Sequence, residues 1–387
     1  MADKTVNVGL VGYMFMGKAH SVGYRDVAFA YPDLKVKPVM KEICGLVEAE
    51  ARQYADQYGW ERASEGYKKV VEADDIDLVD ISTGNDTHKE ICLEAAKNGK
   101  HVFCEKPMAM NVAECKEMIK AIEDAGVIGM VDFNYRCVPA VALAKKMIED
   151  GAIGTPYHFR AQYLQDWIVD PNFPLVWRLQ KDKAGSGAHG DLNAHIIDLG
   201  RFLCGEIDSV CGLMKTFIEK RPLLAHHSGG LSAEGSKEMG DVTVDDATIF
   251  MAKFANGAIG TFEATRFANG NRNKNNFEIN GSNGSIRFNL ERLNELDYYN
   301  YKDPSYQQGW KTILVTEGCH PYLNGWWPAG HIIGWQHTFV HQIYNLMNGI
   351  AENKNPAPDF YDGMKCQAVL DAVEESSDNE KWVKVEV

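Results

Sequence analysis

Short apolar runs alternate with segments of helical periodicity over the first 135 residues. The apolar runs are typical of buried strands: VNVGLVG, PVMKEICGLV, IDLVDIST, KHVFCEKP and IGMVDFN. Between them, apolar residues recur at helical spacing in MGKAHSVGYRDVAFA, EAEARQYADQYG, YKKVVEAD, DTHKEICLEAAKNG and NVAECKEMIKAIEDAG. This alternation predicts an α/β domain, a parallel sheet with helices on both faces.

The pattern changes at about residue 155. Alternating apolar and polar positions, aromatic residues and N-G or S-N-G turns predict antiparallel strands and hairpins in GTPYHFRAQYLQDW, VCGLMKTFI, DATIFMAKFANGAIGTFEATRF, NNFEINGSNGSIRFNL and ELDYYNYK. The stretch RPLLAHHSGGLSAEGSKEMGD, residues 221–241, has little pattern and is predicted to be a loop. We therefore expect two domains, 1–135 and 136–387, the second built on a sheet.

Length and charge narrow the classes of function. A chain of 387 residues suffices for two cores. A net charge of -14 disfavours nucleic acid or an anionic membrane as the partner and favours a small molecule. No window approaches the roughly 18 uninterrupted apolar residues of a membrane span, and MADKTVNVGLVG lacks the features of an export signal. Nine cysteines without a C-x-x-C pair predict reduced thiols and a cytoplasmic location.

The stretch GYMFMG, residues 12–17, lies where a strand turns into a helix. In a G-x-G-x-x-G turn the first glycine permits the bend, the second admits the pyrophosphate and the third allows close helix packing. Gly12 and Gly17 keep the outer positions, but Met14 replaces the middle glycine. Taken alone, the stretch is either a dinucleotide-binding turn or a simple corner between strand and helix.

Two further stretches carry a family resemblance. One strand ends in Glu105-Lys106-Pro107, and GDLNAHIIDLGRFL contains Asp191 and His195 in an Asp-x-x-x-His arrangement. Together with FNYRCVPAVALAKKMIEDGAIG, YLQDW and WWPAGHIIGWQHTF, these motifs resemble the Gfo/Idh/MocA oxidoreductases over nearly the whole chain. The resemblance implies an N-terminal Rossmann dinucleotide-binding domain and a C-terminal domain with an open, mainly antiparallel sheet that covers the nicotinamide.

The same residues suit alcohol oxidation, which needs an acceptor for the hydroxyl proton while hydride leaves carbon. The resemblance implies a catalytic role for Lys106, Asp191 and His195. Asp191, His195 and Asp198 fall on one helical stripe, which we expect to face a cleft unless these are ordinary solvated positions. We expect His195 to be the base, because an imidazole changes charge near neutral pH, with Lys106 as the alternative base.

The cofactor is expected to be NAD. Gly45 ends the second strand where the family has an acidic residue for the ribose, Glu48 is the nearest substitute, and no cation follows to hold a 2′-phosphate. Gly84 replaces a proline expected between Thr83 and Asn85. Met14 is expected to cover the pyrophosphate. The predicted cofactor contacts are Gly12, Met14, Phe15, Met16, Gly17, Glu48, Thr83, Asn85, His88, Glu105, Lys106 and Arg178.

Tryptophans with amides and carboxylates beside them suit a neutral sugar, although they would equally suit a core or an oligomer contact. His189 stands where the family has an apolar residue, and it either reaches substrate or caps the glycine-rich loop. The predicted substrate contacts are Asn134, Gln165, Asp166, Trp167, Trp177, His189, His195 and His331. No H-E-x-x-H motif is present, so no catalytic metal is expected.

These features predict an NAD-dependent sugar dehydrogenase that oxidises a secondary hydroxyl, at C3, of a glucopyranose, anhydrosugar or glycoside. Two alternatives stay open at this stage. One is an enzyme that cleaves a glycoside through a 3-keto intermediate and regenerates NAD in each cycle. The other is a non-catalytic protein that binds sugar and NAD. The resemblance also implies a homo-oligomer, a tetramer formed by sheet packing.

Overall fold

The computed structural model describes residues 4–225 and 234–387. The chain forms two compact units, Met1–Asn134 with Gln336–Gln367, and Tyr135–Trp335 with Ala368–Val387. The chain first passes from the first unit to the second after residue 134, one residue before the predicted boundary at 135. The predicted contiguous second domain, 136–387, differs from this division, because residues 336–367 return to the first unit.

The first unit is built on a parallel sheet with the strand order β3-β2-β1-β4-β5-β6, which is the Rossmann order. Its strands are β1 (Lys4–Val11), β2 (Val36–Gly45), β3 (Arg62–Glu65), β4 (Leu78–Ile81), β5 (His101–Glu105) and β6 (Gly129–Asp132). Its helices in the N-terminal segment are α1 (Phe15–Ala30), α2 (Glu48–Tyr58), α3 (Tyr67–Val71), α4 (His88–Lys97) and α5 (Val112–Ala125). The predicted α/β alternation is confirmed, whereas the polar strand β3 carries no apolar run and was not predicted.

Helix α9 (His337–Glu352) explains why a late segment belongs to the first unit. A Cβ on Gly23 of α1 would lie 2.5 Å from Cδ1 of Ile343 and 3.2 Å from the backbone of Phe339. Phe339 and Ile343 are one turn apart and are both buried. Close packing of α9 on α1 is a long-range contact that hydrophobic periodicity does not reveal.

The second unit contains a mixed sheet in the order β16-β15-β14-β13-β7-β12-β11-β8-β17, in which β12 and β7 pair in parallel and the other pairs are antiparallel. Its strands are β7 (Pro156–Leu164), β8 (Ile207–Lys215), β11 (Ala247–Phe254), β12 (Ile259–Thr265), β13 (Lys274–Gly281), β14 (Gly284–Asn289), β15 (Glu295–Asn300), β16 (Trp310–Leu314) and β17 (Val383–Lys384). Helices α6 (Pro139–Glu149), α7 (Lys181–Ala184) and α8 (Ala194–Cys204) also belong to this unit, and α10 (Phe360–Asn379) begins in the first unit and ends in the second. The predicted mainly antiparallel domain is confirmed.

The stretch predicted to be a loop, 221–241, contains two strands. Strands β9 (Lys220–Leu224) and β10 (Gly235–Asp241) pair antiparallel, and residues 226–233 of the stretch lie outside the described residues. Most of β10 is exposed. Its pairing therefore rests on backbone hydrogen bonds and leaves no hydrophobic pattern to detect. Within the described ranges, no helix combines the length and the apolar character needed to cross a bilayer.

Candidate active-site residues

The turn after β1 keeps the two glycines that its geometry requires. Gly12 has φ +109°, and a Cβ there would lie 2.6 Å from the carbonyl oxygen of Ser82. A Cβ on Gly17 would lie 2.2 Å from the carbonyl oxygen of Gly12. Met14, by contrast, has φ -76°, which any residue adopts. The replacement of the middle glycine by Met14 therefore leaves the backbone of the turn intact.

Helix α1 begins directly after Met14. Met14 and Phe15 are 38% and 50% exposed, and Met16 is half-buried, so this first turn presents side chains and backbone at the surface of the unit. No side chain caps the helix start among the described residues. The amides of a helix N-terminus beside a tight glycine turn fit the pyrophosphate of a dinucleotide. The residues of this turn therefore fit a dinucleotide such as NAD.

The turn after β4 is ordered by its own hydroxyls. Thr83 Oγ1 lies 2.7 Å from Thr87 Oγ1, and Thr87 Oγ1 donates to the carbonyl oxygen of Gly84 at 2.8 Å. Asn85 begins the short 3-10 turn that leads into α4. Glycine in place of the expected proline at position 84 thus does not disrupt the turn. Thr83 and Asn85 remain predicted cofactor contacts.

His88 has a different place from the one predicted. It is fully buried, with Nδ1 3.0 Å from the carbonyl oxygen of Pro107 and Nε2 3.3 Å from that of Thr83. Burial lowers the pKa of its imidazole. His88 thus links the turns after β4 and β5. Because it is buried, we infer that it supports these turns and does not make the predicted direct contact with the cofactor.

Glu105, immediately before Lys106, belongs to a buried cluster of ionisable side chains. His20 Nδ1 lies 2.9 Å from both carboxylate oxygens of Asp80, and Nε2 lies 3.1 Å from Glu105 Oε1 and 3.0 Å from Asp132 Oδ2. Because carboxylates face both ring nitrogens, His20 is positioned to donate from both as an imidazolium. Glu105 Oε2 also accepts from the backbone N–H of Lys106 at 3.0 Å. The cluster therefore fixes the backbone that carries Lys106, which is itself half-buried.

The electrostatics of this cluster follow from burial and from one shared histidine. Burial disfavours the His20 cation, but the charge of Asp80 and three carboxylate hydrogen bonds carry the pKa of His20 well above its usual range. Burial and the neighbouring Glu105 charge raise the pKa of Asp132 to about 7. Burial opposes ionisation of Glu105 too, yet its bond to His20 holds the pKa of Glu105 below the ordinary value. Ionisation of Asp132 is therefore disfavoured until the pH approaches neutrality.

In the second unit, His195 lies between two tyrosine rings near the start of α8. Its ring centroid is 4.6 Å from that of Tyr135 and 5.8 Å from that of Tyr163. The two phenol oxygens are 2.8 Å apart, and burial raises the pKa of both tyrosines, so both remain neutral phenols. His195 is 8% exposed. Aromatic packing thus fixes the orientation of the predicted base.

Asp191 is held by a buried arginine. Arg266 Nη2 donates to Asp191 Oδ2 at 2.7 Å, and the guanidinium lies 5.4 Å from the Trp167 ring. Arg266 is 1% exposed, whereas the Asp191 side chain is 31% exposed. Arg266 Nη1 also donates to the carbonyl oxygen of Arg178 at 3.4 Å. One cation therefore organises Asp191, Trp167 and the backbone of Arg178.

Neutral hydrogen bonds continue from the tyrosines to the YLQDW segment. Tyr163 donates to Asn273 Oδ1 at 2.7 Å, Gln165 Nε2 donates to the same oxygen at 2.9 Å, and Trp167 Nε1 donates to Gln165 Oε1 at 2.9 Å. Trp335 Nε1 donates to the Tyr135 hydroxyl at 3.4 Å. The fold thus brings His195, Gln165 and Trp167 into one aromatic and amide network.

The remaining predicted substrate contacts lie outside that network. Asp166 accepts from Arg272 at 3.0 Å and from the backbone of Gly270 at 3.1 Å. The Arg178 guanidinium lies over the Trp177 ring, 4.3 Å from the ring centroid. His331 is exposed, with Nδ1 2.8 Å from the carbonyl oxygen of Pro328. Their roles toward substrate stay predictions.

Three sequence interpretations are corrected by burial. Asp198 does not face a cleft, because Arg136 bonds it at 2.6 and 2.8 Å in the interior. His189 is 1% exposed; its Nε2 lies 3.0 Å from the carbonyl oxygen of Leu370 and its Nδ1 3.0 Å from Nδ2 of Asn193, so it supports packing instead of reaching substrate. Asn134, 3% exposed, donates to Thr338 Oγ1 at 2.9 Å within the first unit.

Several side chains of these networks were not predicted: His20, Asp80, Asp132, Tyr135, Tyr163, Arg266 and Asn273. Strand position offered one usable signal. Asp80 lies within a fully buried apolar strand and Asp132 ends another, and a carboxylate at such a position needs a partner. Arg266 and Asn273 lie beyond strand ends, and only tertiary contacts show their roles.

Comparison with known proteins agrees with this architecture. Residues 6–133 match the oxidoreductase family with an NAD-binding Rossmann fold, and residues 141–287 match the GFO/IDH/MocA C-terminal domain. Levoglucosan dehydrogenase from Pseudarthrobacter phenanthrenivorans is 43% identical over 99% of this chain and 98% of its own.

Solved structures extend the comparison to the whole fold. A levoglucosan dehydrogenase in complex with NADH and levoglucosan is 42% identical, covers 99% of this chain and 100% of its own, and has a TM-score of 0.94. An oxidoreductase domain protein from Kribbella flavida is 46% identical with the same coverage and a TM-score of 0.94. With both domains matched and the NAD-binding turn intact, the chain belongs to the GFO/IDH/MocA family of oxidoreductases.

Proposed function

We propose that this protein is an NAD-dependent sugar dehydrogenase that oxidises a secondary hydroxyl, at C3, of a pyranose, anhydrosugar or glycoside. The observation that carries the proposal is the similarity to levoglucosan dehydrogenase over 99% of the chain. The neutral network of phenols, amides and tryptophan around His195 supports an uncharged polyol, because such groups donate and accept hydrogen bonds and offer an apolar ring face.

The catalytic roles are proposed for Lys106, Asp191 and His195. NAD, when bound, accepts the hydride from the carbinol carbon. His195, oriented by Tyr135 and Tyr163, takes the hydroxyl proton as general base. Lys106, on the backbone fixed by Glu105, donates a hydrogen bond that stabilises the developing alkoxide. Asp191, held by Arg266, supplies a fixed negative charge beside the base.

The cofactor contacts proposed for the first unit are Gly12, Met14, Phe15, Met16, Gly17, Thr83, Asn85 and Lys106, whereas the Glu48 side chain points to Lys69 at 3.7 Å. The substrate contacts proposed for the second unit are Gln165, Asp166, Trp167, Trp177, His195 and His331. We also propose a cytoplasmic location, which is supported by the cysteines: all nine are thiols, and only Cys211 and Cys319 are not buried.

A substrate panel tests the proposal. The purified protein is incubated with NAD and levoglucosan, glucose or an aryl glycoside, and NADH formation is followed together with the product by NMR. The expected result is steady NADH accumulation with a keto group at C3. Release of the aglycone without net NADH would replace this function by NAD-recycling glycoside cleavage. Binding of sugar without either reaction would indicate a non-catalytic protein.

A further inference from the structure

The ring of Tyr13 fills the space at the end of β2. A Cβ on Gly45 would lie 1.9 Å from Cε1 and 2.5 Å from Cδ1 of Tyr13. In a Rossmann domain the side chain at this strand end is commonly an acid that binds the adenosine ribose. While Tyr13 holds its place, neither an acid nor any other side chain fits at Gly45. The absence of that acid therefore has a steric cause.

Tyr13 is held firmly by two residues of α2. Its hydroxyl donates to Glu50 Oε2 at 2.7 Å, and its ring stacks on Tyr54 with centroids 4.9 Å apart and planes 17° apart. Glu50 and Tyr54 are four residues apart and so share one face of the helix. Tyr13 is 7% exposed. Moving the ring aside would break a stack and a charge-assisted hydrogen bond.

The same contacts hold the Glu50 carboxylate near the strand end, where the usual acid would bind the ribose. Burial, followed by the bond to Glu50, raises the pKa of Tyr13, so its hydroxyl remains a donor. An ionised carboxylate has about four acceptor sites, and the Tyr13 hydroxyl takes one of them. Glu48 also lies in the first turn of α2, but its side chain is 58% exposed and points to Lys69 at 3.7 Å. Glu50 is the carboxylate that Tyr13 orients.

We propose that Tyr13 and Glu50 together replace the strand-end acid: the Glu50 carboxylate accepts hydrogen bonds from the adenosine ribose hydroxyls of NAD and repels the 2′-phosphate of NADP. Tyr13 acts as a positioning residue: its ring fills the space beside Gly45, and its hydroxyl fixes the Glu50 carboxylate. The inference rests on the use of NAD and does not depend on which sugar is oxidised.

Equilibrium titration of the purified protein with NAD and with NADP tests the assignment without a measurement of turnover. We expect Glu50→Gln to weaken NAD binding by about tenfold and to narrow the NAD over NADP preference, because a charge-assisted hydrogen bond and a repulsive charge are both lost. Tyr13→Phe keeps the ring but releases Glu50, so it should also narrow the preference for NAD over NADP, by less than Glu50→Gln does. Asp56→Asn, an exposed acid of the same helix that pairs with Arg52, is the matched control and should change neither constant.

Two outcomes would overturn the proposal: an unchanged preference in Glu50→Gln with unaltered thermal stability, or a loss of preference in Glu48→Gln instead. A variant with the acid restored at the strand end distinguishes a specific loss of cofactor preference from unfolding. Gly45→Asp combined with Tyr13→Ala should fold and regain the NAD preference lost in Tyr13→Ala, whereas Gly45→Asp alone should be destabilised by the Tyr13 ring. Because cofactor binding is measured without sugar, a failed substrate panel leaves this test intact.

Discussion

His195 and Lys106 are oriented by different physical means. Aromatic rings pack against His195, whereas a backbone hydrogen bond to a buried carboxylate fixes the position of Lys106. Replacing either side chain with alanine removes a chemical group while leaving the supporting residues in place. The two roles can therefore be separated by kinetics.

His195→Ala and Lys106→Ala should each reduce turnover by on the order of a hundredfold or more, with NAD binding largely preserved. The pH profile of turnover, measured with saturating cofactor, identifies the base. If His195 takes the proton, its variant loses the limb that rises toward alkaline pH and is rescued at high pH. The same signature in Lys106→Ala alone would assign the base role to the lysine.

At the scale of elements, three parallel strands deliver Asp80, Glu105 and Asp132 to one histidine of α1. Tyr24, one turn after His20, donates to Asp80 Oδ2 at 2.8 Å and closes the cluster. The pKa of Asp132, raised to about 7, means that the folded protein binds a proton that the unfolded chain releases near pH 4. Ionisation of Asp132 thus destabilises the fold as pH rises from about 4 through about 7.

Asp132→Asn tests this coupling. The amide keeps an acceptor for His20 but cannot ionise. The variant therefore avoids the loss of stability that ionisation of Asp132 causes in the wild type. We expect the melting temperature of the variant relative to wild type to rise between about pH 4 and about pH 7. Calorimetry across this range measures the difference, in which the contributions of groups common to both proteins largely cancel. A pH-independent difference would contradict the assignment.

Helix α8 depends on the buried pair between Arg136 and Asp198. Both charges are desolvated, and the guanidinium also lies 4.9 Å from the Phe202 ring centroid. Asp198→Ala should lower the free energy of unfolding by about 3–5 kcal/mol, because it removes the carboxylate that pairs with a buried cation. Urea unfolding measures the change. The double variant Arg136→Met with Asp198→Leu should recover much of the loss, and its failure to do so would argue against the pair as the cause.

At the scale of the whole molecule, the outer face of the second unit's sheet is unusually apolar. Leu213, Ile249, Met251 and Ile259 are between 49% and 65% exposed, and Ile249 lies opposite Leu213 in the pairing of β11 with β8. Contiguous exposed apolar groups of this kind mark association surfaces. We propose that a second copy of the chain covers this face, in line with the homo-oligomer implied by the family resemblance, for which a tetramer is the expected size.

Ile249→Lys tests the proposed assembly. The ammonium would face Glu263 across the pairing of β11 with β12, but it should still dissociate the oligomer, because burying a charge in an apolar interface costs more than such a pair returns. Size-exclusion chromatography with light scattering gives the mass of wild type and variant. Tyr306→Lys, a change of an 83% exposed side chain outside the sheet, serves as the control. A monomeric wild type, or a variant of unchanged mass, would refute the assembly by this face.

Local pattern was sufficient for the strand and helix alternation of the first unit, for the hairpins of the second and for the glycine turn, because each depends on residues close in the chain. The Lys106 and His195 motifs were recognisable for the same reason. His88, His189 and Asp198 were misjudged since a polar residue on a helix looks alike whether it faces solvent or a buried partner. Burial depends on what packs from elsewhere, and sequence spacing does not contain that information.

By itself, the sequence determined the two fold classes, the dinucleotide turn, the family motifs and the net charge of -14. Only the tertiary structure decided that residues 336–367 belong to the first unit, that three carboxylates meet around His20, and that the Tyr13 ring occupies the space above Gly45. The physical reason is range. Propensity and periodicity act within a few residues, whereas steric exclusion and buried charge pairing join side chains that are far apart in the chain and only the folded chain brings together.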